Sequence, residues 1–299
     1  VFEVLRNLFP RLDGLLNALP GWPRLVFPVF MAVSTLWSLS GCTSTTPEVS
    51  AIQSIRARKQ ILAGVKYDSR PFGYMDADGS LKGFDIDLLR DLSRRMLGTP
   101  EAVSFNQVLS STRVIALQSG GVDVVAATMT ITPERRKLID FSSPYYVAGQ
   151  ALVVPQRSSA HHLADLDGKR IIYVIGTTSE KNARGKLPKA EFIGFRSSTD
   201  AFSALRAGRG DAMTTDDAIL AGFLASAPCE FRLLPERLSQ EPYGLGFRKE
   251  RGKSGEPTLR EEVDRHLQAM RADGTLAKLR EKWLAPLEKA NRDCPGPGS

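Results

Sequence analysis

Gly120-Gly-Val-Asp-Val-Val-Ala-Ala-Thr-Met-Thr-Ile-Thr-Pro-Glu-Arg135 is the run that sets the architecture. Val122–Ala127 is a short β-prone apolar stretch entered from a Gly-Gly turn, as a buried strand would be. It leads through Thr128 and Thr130 to Thr132-Pro133, a helix start with Arg135 in the first turn. A strand followed by a loop and a helix start is the repeating unit of an α/β fold. Upstream, Ile61-Leu-Ala-Gly-Val-Lys66 reads as a second buried strand. Phe84–Met96 follows as a helix with Leu88, Leu89, Leu92 and Met96 on one face. Downstream, Gln150–Pro155 is a strand, and a second α/β alternation then begins. Its strands are expected at Arg170–Ile175, Glu191–Phe195, Ala212–Thr214 and Phe231–Leu234, with a helix at Ala201–Ala207. Tyr243–Phe247 is strand-like, and Pro257–Arg271 and Thr275–Trp283 are amphipathic helices separated by the stop Asp273-Gly274. The order predicts one lobe, a crossover, a second lobe, a crossover back, and helices returning to the first lobe.

The 299 residues are 42% hydrophobic and 24% charged, which places the chain with globular proteins rather than disordered or multi-span ones. The net charge of +7 is spread along the sequence beside acidic residues, and no nucleic-acid signature accompanies it. It reads as solvated surface plus a few pocket cations. Residues 1–41 differ from the rest. Leu25–Leu39 is apolar but short for a membrane span and suits the core of a signal peptide. Leu39-Ser-Gly-Cys42 resembles a bacterial lipobox, so Cys42 is expected to carry a lipid anchoring the chain to the outer face of the cell membrane. Residues 42–54 would be its polar tether. Cys229 and Cys294 then remain as an even pair, and a disulfide stapling the 291–299 tail to the body is expected, two free thiols being the alternative. His161-His162 reads as surface loop, since sequence neighbours rarely converge on one metal ion.

Several words occur in a telling order: Gly64-Val-Lys-Tyr-Asp-Ser-Arg-Pro-Phe-Gly73, Gly83-Phe-Asp-Ile-Asp-Leu88, Ala127–Arg135, Asp140-Phe-Ser-Ser-Pro-Tyr-Tyr146, Asp165-Leu-Asp-Gly-Lys169, Gly176-Thr-Thr178, Gly208-Arg-Gly-Asp-Ala212, Pro242-Tyr-Gly244 and Lys282-Trp283. From Ile55 to Leu284 the chain resembles the family-3 extracellular solute-binding proteins, polar amino-acid receptors of ABC importers. The resemblance implies an α/β, periplasmic-binding-protein-like fold. Lobe 1 would comprise 55–150 plus 242–290 and lobe 2 would comprise 151–241, joined by two crossover hinge strands with the ligand cleft between them. It also implies a monomer without cofactor or metal that captures a free amino acid unchanged and docks on a permease served by an ATPase subunit.

The candidate residues have physical reasons as well. A free amino acid carries a carboxylate and an ammonium, and each must be paired when water is squeezed out. The Arg135 guanidinium can grip the α-carboxylate bidentately, with Thr128 and Thr130 offering hydroxyl and backbone groups to the same end. Gly176-Thr177-Thr178 would form a second carboxylate cradle across the cleft. The resemblance gives Asp216 the ligand ammonium, with Asp217 a solvated neighbour. Lys66 and Arg113 would add two cations and so select glutamate or aspartate, unless Lys66 pairs with Asp68 instead. Phe72 is a pocket wall or a core residue, and Tyr243 is hinge packing or cleft lining. Glutamine or asparagine is the alternative cargo. A dehydratase acting on arogenate or prephenate is the alternative activity, and it would need a general acid such as a pocket glutamate.

Overall fold

The computed structural model describes residues 50–250 and 256–290. The expected signal peptide, Cys42, the tether up to residue 49 and Cys294 lie outside them. Along the chain the strands are β1 (Ile61–Val65), β2 (Asp68–Ser69), β3 (Gly73–Met75), β4 (Leu81–Lys82), β5 (Val103–Gln107), β6 (Val124–Ala126), β7 (Asp140–Phe141), β8 (Tyr146–Pro155), β9 (Arg170–Val174), β10 (Glu191–Phe195), β11 (Ala212–Asp216), β12 (Phe231–Leu233), β13 (Ser239–Tyr243) and β14 (Gly246–Phe247).

Two larger sheets carry the two lobes. The first has the order β5-β1-β6-β14-β7. Its β5, β1 and β6 are parallel, and β14 runs antiparallel to β6 and β7. Parallel neighbours need crossover helices, which Phe84–Leu97 and Arg113–Gln118 supply. In the second sheet β10, β9 and β11 are parallel, while β8 is antiparallel to β11, β12 and β13. Tyr146–Gln150 pairs with Ser239–Tyr243 residue for residue. The outgoing and returning chain segments therefore lie side by side, as two hinge strands must if the lobes are to move as bodies.

The Phe84–Leu97 helix buries Leu88, Leu89 and Leu92, with Asp85 and Asp87 in its first turn and Arg94 and Arg95 in its last. Both charge biases complement the helix dipole. Its apolar face joins Ile55, Val65, Phe72, Tyr243 and Leu267 in the first core. In the second, Val153, Ile172, Val174, Met213 and Leu220 pack with Phe202, which stacks on Phe223 at 4.6 Å. Each such fully buried side chain contributes roughly 1.5–3 kcal/mol.

Some expectations need adjusting. The strand expected from Gln150 begins at Tyr146, because β13 pairs along its whole first half. The helix expected at Ala201 starts at Ser198, where the Ser197 hydroxyl caps the Asp200 N–H at 3.0 Å. The small sheet β2-β3-β4 was not foreseen, since two-residue strands carry no readable period. Cys229 is disulfide-bonded. Among the described residues no helix is long and apolar enough to cross a membrane. None of them form a three-residue cluster suited to a metal. His162 is exposed and meets Glu236 at 3.1 Å.

Candidate functional site

The first lobe contributes three cations. Arg113 opens its short helix fully buried, its Nη1 donating to the carbonyls of Ala127 and Thr128 (3.3 Å to the latter). Burial pulls its guanidinium down to about 9. Its Nε is buried without a partner. Arg135 lies in the first turn of the Pro133–Leu138 helix, where the Thr132 hydroxyl accepts its N–H at 3.2 Å. Its Nη1 donates to Thr130 O at 2.7 Å and its Nη2 to Gly176 O at 3.0 Å. Gly176 belongs to the second lobe, so Arg135 spans the cleft. Arg113 Nη2 approaches the same carbonyl at 3.4 Å.

Lys66 corrects the charge count made from sequence. It is 1% exposed and points inward, but its Nζ lies 3.3 Å from Asp68 and 3.4 Å from Ser110 Oγ. Burial lowers its pKa, with Asp68 opposing the shift. Asp68 is shared, because its other oxygen accepts the Ser198 N–H of the second lobe at 2.6 Å. The lysine is therefore no surplus charge, and its partner helps join the lobes.

Asp85 was read only as part of a helix, yet it is central. Its oxygens accept the Tyr145 hydroxyl at 2.9 Å and the Thr128 N–H at 3.3 Å. Thr128 has φ +48, a left-handed conformation that a threonine adopts only when its surroundings hold it there. Burial pushes Asp85 up to about 7. The sequence did contain a clue: Asp85, Leu88, Leu89 and Leu92 have the spacing of one helical face, so an acid sits on the apolar stripe.

The second lobe contributes carboxylates. Asp216 ends β11 and accepts the hydroxyl of Tyr243, and burial pushes it up to about 7. Asp217 is no solvated bystander: it accepts the Gly149 N–H at 3.1 Å and pairs with Arg237 at 3.1 Å. It is committed to the fold, which leaves Asp216 as the acid facing Tyr243. Glu241, which sequence reasoning missed, is 2% exposed on β13 and accepts the Thr178 hydroxyl at 2.8 Å. It alternates with Tyr243 on one face of the strand, a period-two clue. Thr177 Oγ1 donates to Val174 O at 2.7 Å, so both cradle hydroxyls give their protons to the protein itself.

Tyr243 and Phe72 have no exposed surface, and their rings lie 5.2 Å apart in a cluster with Tyr146 and Phe84. Phe72 is therefore a core residue of the hinge region. Tyr243 combines both roles foreseen for it, packing at the hinge and reaching Asp216. Thr130 bridges to Tyr243 across the backbone. At Gly176, φ is +86 and a Cβ would fall 2.5 Å from Ser111 N. Only glycine lets the lobes approach so closely there.

The profile of "Bacterial extracellular solute-binding proteins, family 3" matches residues 61–286. The ABC transporter glutamine-binding protein GlnH of Bacillus subtilis (strain 168) is 36% identical over 247 residues, covering 82% of this chain and 88% of that protein. Among solved structures, an ancestral arginine-binding protein bound to glutamine is 38% identical with a TM-score of 0.69, covering 76% of this chain and 98% of that one. The ancestral amino acid-binding protein AncCDT-1, a precursor of cyclohexadienyl dehydratase, is 35% identical with a TM-score of 0.70, covering 79% of this chain and all of that one (100%).

Proposed function

The chain belongs to the bacterial extracellular solute-binding proteins of family 3 and is an amino-acid-binding component of an ABC importer, and on that footing we propose that its cargo is glutamine. The charge balance of the cleft carries this reading. Lys66 is neutralised by Asp68, Arg113 lies within electrostatic reach of Asp85 and Asp216, and Arg135 within reach of Glu241 and Asp216. Such a cleft suits a zwitterion with a neutral side chain. A second ligand carboxylate would be buried beside Glu241 without a free cation, which costs several kcal/mol, on the order of the gap between neighbouring substrates. The Bacillus subtilis relative, named for glutamine, supports the same choice.

In the proposed cycle the first lobe takes the ligand through Arg135, Thr128, Thr130 and Arg113. The second lobe then brings the Gly176–Thr178 backbone and Asp216, and Asp216 meets the ammonium. Lobe 1 (55–150 plus 242–290) and lobe 2 (151–241) would turn about β8 and β13. The loaded form would dock on the permease, held at the membrane by a lipid on Cys42.

An acidic cargo, glutamate or aspartate, is the second reading. It is favoured by one observation, the partnerless buried Nε of Arg113. The dehydratase alternative has a pocket glutamate in Glu241. However, both its oxygens already accept hydrogen bonds, from Thr178, Asn182 and Ser239, so it is arranged as a carboxylate and not as a proton donor. Calorimetric titration with all twenty amino acids, together with incubation with prephenate, tests the proposal. Binding of glutamine with no turnover is expected. Aromatisation of prephenate would replace the receptor reading with the enzymatic one.

A further inference from the structure

Asp85 has no exposed surface, and its backbone is as firmly held as its side chain. Its own N–H donates to Phe72 O at 2.9 Å, and that of Phe84 to Pro71 O at 2.8 Å. One carboxylate oxygen accepts the hydroxyl of Tyr145, whose N–H donates in turn to Tyr243 O at 2.9 Å. The other oxygen accepts the N–H of Thr128, the residue at φ +48. That conformation is costly for a β-branched side chain, whereas glycine takes it freely. The carbonyls of Ala127 and Thr128 both receive Arg113 Nη1, and Thr130 O receives Arg135 Nη1. Were Thr128 to relax to a negative φ, the peptides on either side of it would turn, and the first two carbonyls would swing away from Arg113.

We propose, resting on the amino-acid-binding reading, that Asp85 is a positioning residue for capture. By holding Thr128 in the left-handed conformation it aims two carbonyls at Arg113 and sets the loop that leads to Arg135. Asp85 acts through the backbone of Thr128 and touches no part of the ligand. The contacts from Asp85 to Thr128 and from Thr128 to Arg113 all lie within the first lobe, so the loop is set before a ligand arrives and before the second lobe closes. A residue that only filled the core would raise the melting temperature without shaping the turn.

The test is a double-mutant cycle read by calorimetry with glutamine and with glutamate. For the tighter of the two ligands, Asp85→Ala should lower affinity by about tenfold or more in the otherwise wild-type chain. In a Thr128→Gly background the same change should cost less than about threefold, because glycine keeps the turn unaided. The charge lost near Arg113 is common to both backgrounds and cancels. Asp85→Asn should regain at least about threefold of the loss, since its Oδ1 can still accept the Thr128 N–H while its amide donates to the Tyr145 oxygen. Equal losses in the two backgrounds, or unchanged affinity in Asp85→Ala, would overturn the assignment and leave the receptor reading intact. Wild-type binding of neither ligand would overturn the cargo reading instead. In that case, or if Asp85→Ala does not fold as judged by its thermal melt, amide hydrogen exchange of the ligand-free wild-type chain decides. The Thr128 N–H should be protected by about 100-fold or more over an unstructured amide, and unprotected exchange would overturn the assignment.

Discussion

The two lobes differ in the sign of what they bring to the cleft. The first supplies Lys66, Arg113 and Arg135, and the second supplies Asp216 and Glu241. Within the first lobe Asp68 already holds Lys66, and Asp85 lies within electrostatic reach of Arg113. The second lobe removes the remaining excess, since Asp216 and Glu241 offset the arginines and Ser198 N–H meets the other oxygen of Asp68. Cargo selectivity is thus a property of the pair and cannot be read from either half.

The comparison can be broken from the cationic side first. Arg135→Ala removes the guanidinium that reaches both Thr130 O and Gly176 O. Calorimetry should show glutamine affinity falling about 100-fold or more, roughly 3 kcal/mol, as expected when one partner of a buried charge pair is lost. A loss under tenfold would mean that Arg135 only supports the fold.

The anionic side comes next. Asp216 is pushed up to about 7 by burial, and Asp85 likewise. A carboxyl held above its ordinary range near 4 stabilises the folded protein fully below that range and loses this contribution as pH rises through 7. The thermal midpoint of the ligand-free protein should therefore decline between about pH 5 and 8. Ligand affinity should move the other way, since the ammonium requires ionised Asp216, and binding should release protons over the same window. Asp216→Asn should weaken binding by about 30-fold at pH 8 and flatten the pH profile; a profile that stays steep would place the titrating group elsewhere.

Two smaller effects test the seam between the lobes. Gly176→Ala introduces a Cβ against the Ser111 backbone at a positive φ. Affinity should fall about tenfold, ligand-induced compaction in small-angle scattering should be lost, and the melt should drop modestly from the strain of a Cβ at positive φ. Compaction equal to wild type would show that the close approach is dispensable. Lys181→Ala breaks the ion pair with Glu134 across the seam, whose side chains are 79% and 64% exposed. Water and salt screen such a pair, so affinity should change by less than about twofold.

How much was legible follows from periodicity. Glu191–Phe195 and Thr275–Trp283 occupy the expected residues, because each shows its pattern over a whole element. Thr132-Pro133 marked the helix start that carries Arg135, whereas Asp216 was singled out by the family resemblance, the expected strand having ended at Thr214, two residues short of the observed β11. Asp68 was foreseen as the alternative partner of Lys66 but not as a link to the second lobe, and Asp85 and Glu241 were missed. Each lies within an ordinary-looking word, and its importance comes from a partner far along the chain: Ser198 for Asp68, Thr128 for Asp85, Thr178 for Glu241. Local pattern says which residues are inside, whereas the net charge of a cleft depends on which of them meet.

The most direct test of that balance is the ratio of glutamine to glutamate affinity for the unmodified protein at pH 7.5. The account predicts glutamine tighter by about tenfold or more, since a second carboxylate would be buried unpaired. Glutamate binding more tightly than glutamine would contradict it, and would mean that Arg113 and Lys66 remain available to the cargo despite their protein partners.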